Sequence, residues 1–476
     1  MAENKTYWKS ADQLNEGNPI IEQLEQKEFA EHIPVNEFLG DSETLEDSST
    51  SRRDFLKYVG FSTAAATLAA CEGPVIKSVP YVVQPEQIRP GVANYYATAI
   101  ADGFDFGSVL IKTREGRPIK VENNIDAPVL GGANARVHAS VLSLYDVKRL
   151  QGPKANGTDI SWEDLNLQVG AKLKALAATG KEVIILTQTF ASPTTSKIVS
   201  DFIAAYPNVK QVTYDSVSES AALDAFEAAY GVRALADYDF SKADAIVSVG
   251  ADILGDWQGG GYDSAYSKKR VPHRDHGKAQ MSQHFQFEAN MTLSGAAADF
   301  RVPATPTQQK NILAHLYAAL TGTSVSGTLG VGMQAKLDKA VEALKAAGSK
   351  AVVVSGIHEV GAQQLVLAIN NHIQSEVMNA NTPRLIRQAS ATEVAQVVTA
   401  VKNGTIGGLI TVGVNPALTL ADGAAFAEGL KKLDLSVAFS LKEDETALAS
   451  QYIAAVPHYL EAWGDYEFKA GSFALA

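Results

Sequence analysis

An α/β architecture of parallel sheets flanked by helices, preceded by a small β-rich region, follows from two features of the sequence. From about residue 160 onward, an apolar segment with helical period is repeatedly followed by a short run of β-branched residues. Those runs show no polar alternation, as expected of strands buried on both faces of a parallel sheet. In the first unit, Ser161-Trp162-Glu163-Asp164 resembles a capping box, and Leu165, Val169, Leu173 and Leu176 fall at helical spacing. Gly180 stops that helix, and Val183-Ile184-Ile185-Leu186 makes a buried strand. The unit recurs as helix Leu223 to Tyr230 with strand Ala245 to Gly250, and helix Val341 to Ala347 with strand Ala351 to Val354. It recurs once more as helix Val394 to Val401, stop Gly404 and strand Leu409 to Val412. The loops after such strands are where an α/β sheet binds its ligand. Ahead of the repeats, Val109 to Thr113 and Ile119 to Glu122 read as a hairpin about the turn Glu115-Gly116-Arg117-Pro118.

The first 71 residues carry an address. Residues 1–50 are polar and acidic. Arg52 and Arg53 then open Ser51-Arg52-Arg53-Asp54-Phe55-Leu56-Lys57, followed by a short apolar run and the small-residue stop Leu68-Ala69-Ala70-Cys71. The apolar run is about a dozen residues, against the ~20 that a spanning helix needs. The segment reads as a twin-arginine export signal with Arg52, Arg53 and Phe55 as its signature residues. Leu68-Ala69-Ala70-Cys71 resembles a lipobox in which the Cys71 thiol takes a diacylglycerol. The expected location is the periplasmic face of the cytoplasmic membrane.

Composition excludes several functions. The chain has 476 residues, a net charge of −12 and one cysteine, and a pI of about 5.3. That charge lacks the basic face of a nucleic-acid binder. A single thiol excludes an internal disulfide, and an iron–sulfur cluster held by this chain alone needs about four thiolates. No Cys-x-x-Cys-His haem attachment motif is present.

Several segments, in order, resemble molybdopterin oxidoreductases of the dimethyl-sulfoxide-reductase type. They are Gly116 to Asn124, Ala139 to Asp146 with Arg149-Leu150, and Tyr238 to Asp244 leading to Gly250-Ala251-Asp252. Glu288 to Asp299 with Val302-Pro303, Gly413-Val414-Asn415-Pro416 and His458 to Asp465 complete the series. With its twin-arginine leader the chain is similar, more narrowly, to one component of bacterial alternative complex III. That component joins a molybdopterin-like half to a ferredoxin-like half, and the likeness is to the molybdopterin-like half. The resemblance implies a molybdopterin-oxidoreductase-like fold in a quinol:electron-acceptor oxidoreductase. It implies a ferredoxin-like iron–sulfur half, multihaem cytochrome c and quinol-binding membrane subunits as partners, with the clusters and haem c held there. Family members continue beyond Trp463-Gly464-Asp465, so the chain is expected to be a half, either a fragment or one product of a split polypeptide.

The departures from the family shape the expected function. Neither Tyr95 to Gly107 nor Gly131 to Arg136, where the resemblance places cluster cysteines, contains a thiol. The loop matching the family's metal-ligand position reads Gln188-Thr189-Phe190-Ala191-Ser192-Pro193; Ser192 offers a hydroxyl to a metal, against the plainer reading of a Ser-Pro turn. The guanosine-phosphate loop reads Ala304-Thr305-Pro306-Thr307-Gln308-Gln309, without the family's glycine and aspartate. Gly259-Gly260-Gly261 offers a phosphate cradle or a plain turn. His273, Asp275 and His276 have metal-ligand spacing, but the basic stretch around them opposes a bound metal and reads rather as a solvated loop or docking surface. His358-Glu359 reads as a surface turn, and His458, Glu461, Trp463 and Asp465 as packing and hydrogen bonding between elements.

No catalytic, cofactor-binding or metal-ligating residue is assigned on this reading. The expected organisation is a leader over 1–71, a β-rich region over 72–145, an α/β domain over 146–330 and a second, interleaved and incomplete one over 331–476. The expected function is a non-catalytic scaffold, without its own cofactor, that positions the cluster-bearing half. An active molybdenum enzyme using Ser192 and a lipid-anchored solute binder are the alternatives.

Overall fold

A computed structural model describes Glu86, Ile88, Arg89 and residues 91–476 apart from 276 and 277, with the backbone alone over 273–275 and 278–279. Arg52, Arg53, Phe55 and Cys71 lie outside the described residues. Residues 85–476 form one compact unit. None of the described helices is long and apolar enough to cross a membrane.

The expected α/β fold is present, built on two parallel sheets. One holds five parallel strands in the order Val209–Thr213, Val183–Thr187, Gly408–Val412, Leu435–Ser440, Tyr452–Ala455. A short hairpin, Lys154–Ala155 with Thr158–Asp159, extends it to seven. The other holds four parallel strands in the order Phe300–Pro303, Gln283–Glu288, Ala245–Val249, Ala351–Ser355. Each sheet therefore draws strands from both sides of residue 330.

Strand composition explains the layering. Alternate residues of a strand face opposite sides, and here both sides meet helices. Ile184 and Leu186 pack with helices Ala391–Asn403 and Gly423–Leu430. Val183 and Ile185 pack with helices Trp162–Thr179 and Pro193–Ala205. In the four-stranded sheet, Val247 and Val353 meet helices Pro306–Thr321, Val331–Ala347 and Val360–His372. Ile246 and Val352 meet helix Ser220–Tyr230 and the aromatic group Trp257, Tyr262 and Tyr266. Strand Ala351–Ser355 is an edge, yet its middle is not left open. Asn370 accepts from the Val353 N–H (2.9 Å) and donates to the Val353 carbonyl (2.7 Å), replacing the missing strand.

Helix ends follow the sequence signals. Gly180 and Gly404 close their helices in the left-handed conformation, at φ 67° and 65°, where a side chain is strained. Ser161 caps its helix by accepting from the Asp164 N–H, but the Asp164 carboxylate takes the Ser161 hydroxyl at 2.6 Å. The N-cap half of the expected capping box is thus made directly.

The β-rich region is a three-stranded antiparallel sheet, Asn94–Ala101, Phe106–Arg114 and Arg117–Asn123, backed by helix Ala135–Leu144. Its second and third strands are the expected hairpin. A further antiparallel sheet orders Ser472–Leu475, Asp465–Lys469, Met378–Arg384 and Leu235–Tyr238.

Candidate functional site at the carboxyl ends of the parallel sheets

Both parallel sheets reverse their winding direction at one point. In the larger sheet the reversal falls between Val183–Thr187 and Gly408–Val412; in the smaller it falls between Ala245–Val249 and Ala351–Ser355. The crevice outside the carboxyl ends at such a point is where doubly wound sheets hold ligands. Loops from the two sheets meet: Glu219, after strand Val209–Thr213, lies near His358 and the backbone of Gln258 from the other sheet, and Arg387 lies near both Glu219 and Asp215.

At the first reversal point, Gln188 turns its amide nitrogen to the carbonyl oxygens of Gly413 (2.8 Å) and Asp102 (2.7 Å). Asp102 belongs to the turn between the first two strands of the β-rich region. Its carboxylate accepts the N–H groups of Phe104 (3.0 Å) and Asp105 (2.7 Å), and burial pushes its pKa up. Arg387 donates to the Phe104 carbonyl (2.8 Å), and the Arg136 and Arg387 guanidinium groups lie 4.7 and 5.5 Å from the centre of the Phe104 ring. Arg136 also pairs with Asp105 (2.8 Å) and Asp256 (2.8 Å), joining this turn to the loop after Ala245–Val249. Burial is the leading influence on Glu219 and raises its pKa against the nearby His358 and Arg387.

Ser192, in the loop that the resemblance matches to a metal-ligand position, has its hydroxyl committed. It caps helix Pro193–Ala205 by accepting from the Thr195 N–H (3.1 Å) and donates to Asp465 (2.9 Å). Asp465 also takes the Thr194 hydroxyl (2.8 Å) and N–H (3.2 Å). A polar cavity of about 460 Å³ beside this loop is lined by Thr189, Phe190, Gln211, Glu393 and Glu467. Among the described residues no group of three or more His, Cys, Asp or Glu side chains is placed to hold a metal.

The remaining candidates resolve into structural parts. Thr305 and Gln308 make a full capping box for helix Pro306–Thr321, so the would-be guanosine loop is a helix start. The three glycines at 259–261 all have positive φ. A Cβ at Gly259 would sit 2.5 Å from Ile386, and the Gly260 carbonyl accepts from Arg384 (2.7 Å). They form a tightly packed turn. His276 lies outside the described residues, as do the side chains of His273 and Asp275. His358 is exposed, and Glu359 pairs with Lys310. His458 is buried, with Nε2 near the Ser143 hydroxyl (2.9 Å) and Nδ1 accepting from the Leu460 N–H (3.3 Å). Its Nδ1 is therefore the acceptor and Nε2 the donor, so it does not act as a base toward Ser143. Glu461 bonds the His458 N–H and pairs with Arg149.

Trp463 corrects the sequence expectation. It is 96% exposed rather than packed between elements, because it sits in the turn before Asp465–Lys469 while the backbone of neighbouring Gly464 pairs with Ala476. Sequence reasoning also missed Gln188, Arg387, Glu219 and the Asp105–Arg136–Asp256 bridge. Single polar residues after strands give no periodic signal; Gly103 and Gly413, flanking Gln188, are the one trace of close approach.

The architecture matches molybdopterin oxidoreductase structures. Acetylene hydratase from Pelobacter acetylenicus superposes with a TM-score of 0.56 at 12% identity, over 80% of this chain and 65% of that one. A chain of the formyltransferase/hydrolase complex from Methylorubrum extorquens gives a TM-score of 0.45 at 14% identity, over 68% and 92% of the two chains. In sequence, the chain is 24% identical over 469 residues to the molybdopterin-binding-like subunit of menaquinone reductase from Nitratidesulfovibrio vulgaris. That similarity covers 87% of this chain and 66% of the relative, so the chain spans just under two thirds of the relative's length. No model of a known protein family matches it.

Proposed function

We propose that the chain is a non-catalytic, molybdopterin-oxidoreductase-like subunit of a membrane-associated, quinone-linked respiratory complex. The observation that carries this reading is the similarity over 87% of the chain to a molybdopterin-binding-like subunit of a menaquinone reductase. The sequence adds a reason for the missing catalysis. The only cysteine, Cys71, lies in the leader, so residues 72–476 supply no thiolate for an iron–sulfur cluster. In the finer form of the proposal the complex resembles alternative complex III. The chain then positions a ferredoxin-like iron–sulfur half against multihaem cytochrome c and quinol-binding membrane subunits. Export by the twin-arginine route and a lipid on Cys71 place it at the periplasmic face of the cytoplasmic membrane.

The direction of quinone chemistry separates two versions. The likeness to alternative complex III favours quinol oxidation; the name of the relative favours menaquinone reduction. Gentle solubilisation of native membranes, with mass spectrometry of partners and of the mature N-terminus, tests the proposal. Co-purifying cluster- and haem-bearing subunits and a lipidated Cys71 are the expected result. About one molybdenum per chain, or a monomer free of partners, refutes it. Quinol-dependent reduction or menaquinone formation by the purified complex then decides the direction.

A further inference from the structure

The resemblance to molybdopterin oxidoreductases implies a pterin cofactor, which would bind at the reversal points where doubly wound sheets hold ligands. The residues present do not fit one. We infer that the turn Asp102–Asp105, with Gly103 and Asp105 buried, Phe104 half-buried and Asp102 exposed, is a plug that divides the crevice where doubly wound sheets hold ligands.

Space decides first. The room left directly among Asp102, Phe104, Gln188, Tyr214, Gly413 and Asn415 is about 90 Å³. That is on the order of three waters, at about 30 Å³ each, against about 300 Å³ or more for an organic ligand pocket. The wider cavities, of about 460 and 610 Å³, meet this space only at Gln188 and around Tyr214, Ser216 and Thr419. The packing around it allows no extra carbon. A Cβ built on Gly103 would lie 2.5 Å from the Gln188 Cβ, and one on Gly413 would lie 2.8 Å from the Gln188 Cδ. At the second reversal point the strand ends themselves touch. A Cβ on Gly356 would sit 2.1 Å from the Gly250 carbonyl oxygen. The Ser355 hydroxyl donates to the Val249 carbonyl (3.0 Å), and the Trp257 indole N–H to the Ser355 carbonyl (3.2 Å).

Bonding decides second. The plug is held from three directions: Gln188 from the larger sheet, Arg136 and Asp256 toward the smaller, and Arg387 from the segment between them. Phe104 lies within cation–π range of both guanidinium groups. Opening the crevice means breaking these bonds together and taking from the buried Arg387 its Phe104 partner. Of the stretch Tyr95–Gly107, which the resemblance matches to a cluster site, Gly103 and Asp105 to Gly107 turn inward as filling while Tyr95 and Tyr96 stay exposed.

This inference deepens the cofactor-free reading and rests on it. Its test is amide hydrogen exchange on the full purified chain, with pterin assayed by fluorescence after acid oxidation. With the plug in place, the Phe104 and Asp105 amides exchange at least 100-fold slower than free-peptide rates. The substitution Gln188→Ala speeds them at least tenfold while the core strand Ala351–Ser355 stays protected. Free-peptide exchange at Phe104 and Asp105 in the unsubstituted chain, without pterin, overturns the plug and leaves the scaffold reading standing. So does unchanged exchange in Gln188→Ala. Stoichiometric pterin overturns both. Should Gln188→Ala fail to fold, the rates in the unsubstituted chain decide the matter alone.

Discussion

Replacing Arg384 by methionine tests whether the buried charge cluster around Asp237 holds together the strands of the antiparallel sheet, on three of which its members lie. Arg384 is nearly buried, donates to Asp237 (2.7 Å) and to the Gly260 carbonyl (2.7 Å), and lies 3.9 Å over the Tyr262 ring. Asp237 has one other cationic partner, Lys469, at 2.7 Å. Removing one member of a buried pair costs about 3–5 kcal/mol, because the other charge stays buried. The lost cation–π contact adds up to about 2 kcal/mol. Lys469 remains, so the lower end of that sum, about 3 kcal/mol at pH 7, is the expected loss. The effect must depend on pH. Burial raises the Asp237 pKa, but Arg384 and Lys469 outweigh it, and the net shift is downward. A carboxyl with a lowered pKa in the fold adds stability above its unfolded value of about 3.9, and loses it as pH falls through the folded value. The difference between Arg384→Met and the parent should therefore be largest near neutrality and shrink below about pH 4. Urea denaturation from pH 3 to 7, followed by tryptophan fluorescence, reads it. A loss under about 1 kcal/mol, or one constant across this pH range, refutes the reasoning. Adding Asp237→Asn to Arg384→Met should recover part of the loss, since the buried carboxylate is then gone and Lys469, which loses it as a partner, is partly exposed.

Four further outcomes follow from single positions. Asn370→Leu strips the N–H and carbonyl of Val353 of their buried partners and should cost about 2–4 kcal/mol in urea denaturation. Gly356→Ala drives a carbon to 2.1 Å from a carbonyl oxygen and should lower the melting temperature sharply or abolish folding. Gly170→Ala, in open space on helix Trp162–Thr179, should instead stabilise by about 0.5–1 kcal/mol. His284 is fully buried, and burial pushes its pKa down to about 4. Its neutral form therefore contributes stability above the unfolded value of about 6.5, and that stability is lost as pH falls from there toward 4. At about 1.4 kcal/mol per pH unit, His284→Gln should flatten the stability profile between pH 4.5 and 6.5 by roughly 2–3 kcal/mol.

Elements were legible where one residue's chemistry decides them. Gly180 and Gly404 announce left-handed helix ends, and Val183 to Leu186 can only be a strand buried on both faces. Pairing was not legible. Strand Ala351–Ser355 lies beside Ala245–Val249 across about a hundred residues of chain, and nothing in either run names its neighbour. Strand Asn94–Ala101 was missed because its first half is largely exposed and only Ala99 and Ile100 are buried. Helix Ala135–Leu144 was missed because it buries only Val137 and Val141, too little for a clear period. Ser192 shows the limit for site residues. The sequence supplies a hydroxyl after a strand; only Thr195 and Asp465, one of them 273 positions away, show that it is spent.

The plugged crevice also explains several neutral amides turned inward. Carboxyl ends of parallel strands and their loops present carbonyl oxygens that a bound ligand or water would otherwise satisfy. Here Gln188 serves Gly413 and Asp102, Gln286 serves Ala251, Gln309 serves Ala304, and Gln363 serves Ser355 and Ile357. Lysine would also donate, but burying an ammonium without a counter-charge costs several kcal/mol, whereas an amide brings two donors and no net charge. Arginine appears only where carboxylates or aromatic rings accompany it, as at Arg136 and Arg384. A fold shaped around a ligand thus becomes self-sufficient by turning neutral donors inward. Each of these glutamines is then a stability residue, and replacing one by leucine should destabilise the chain whatever cofactor is supplied.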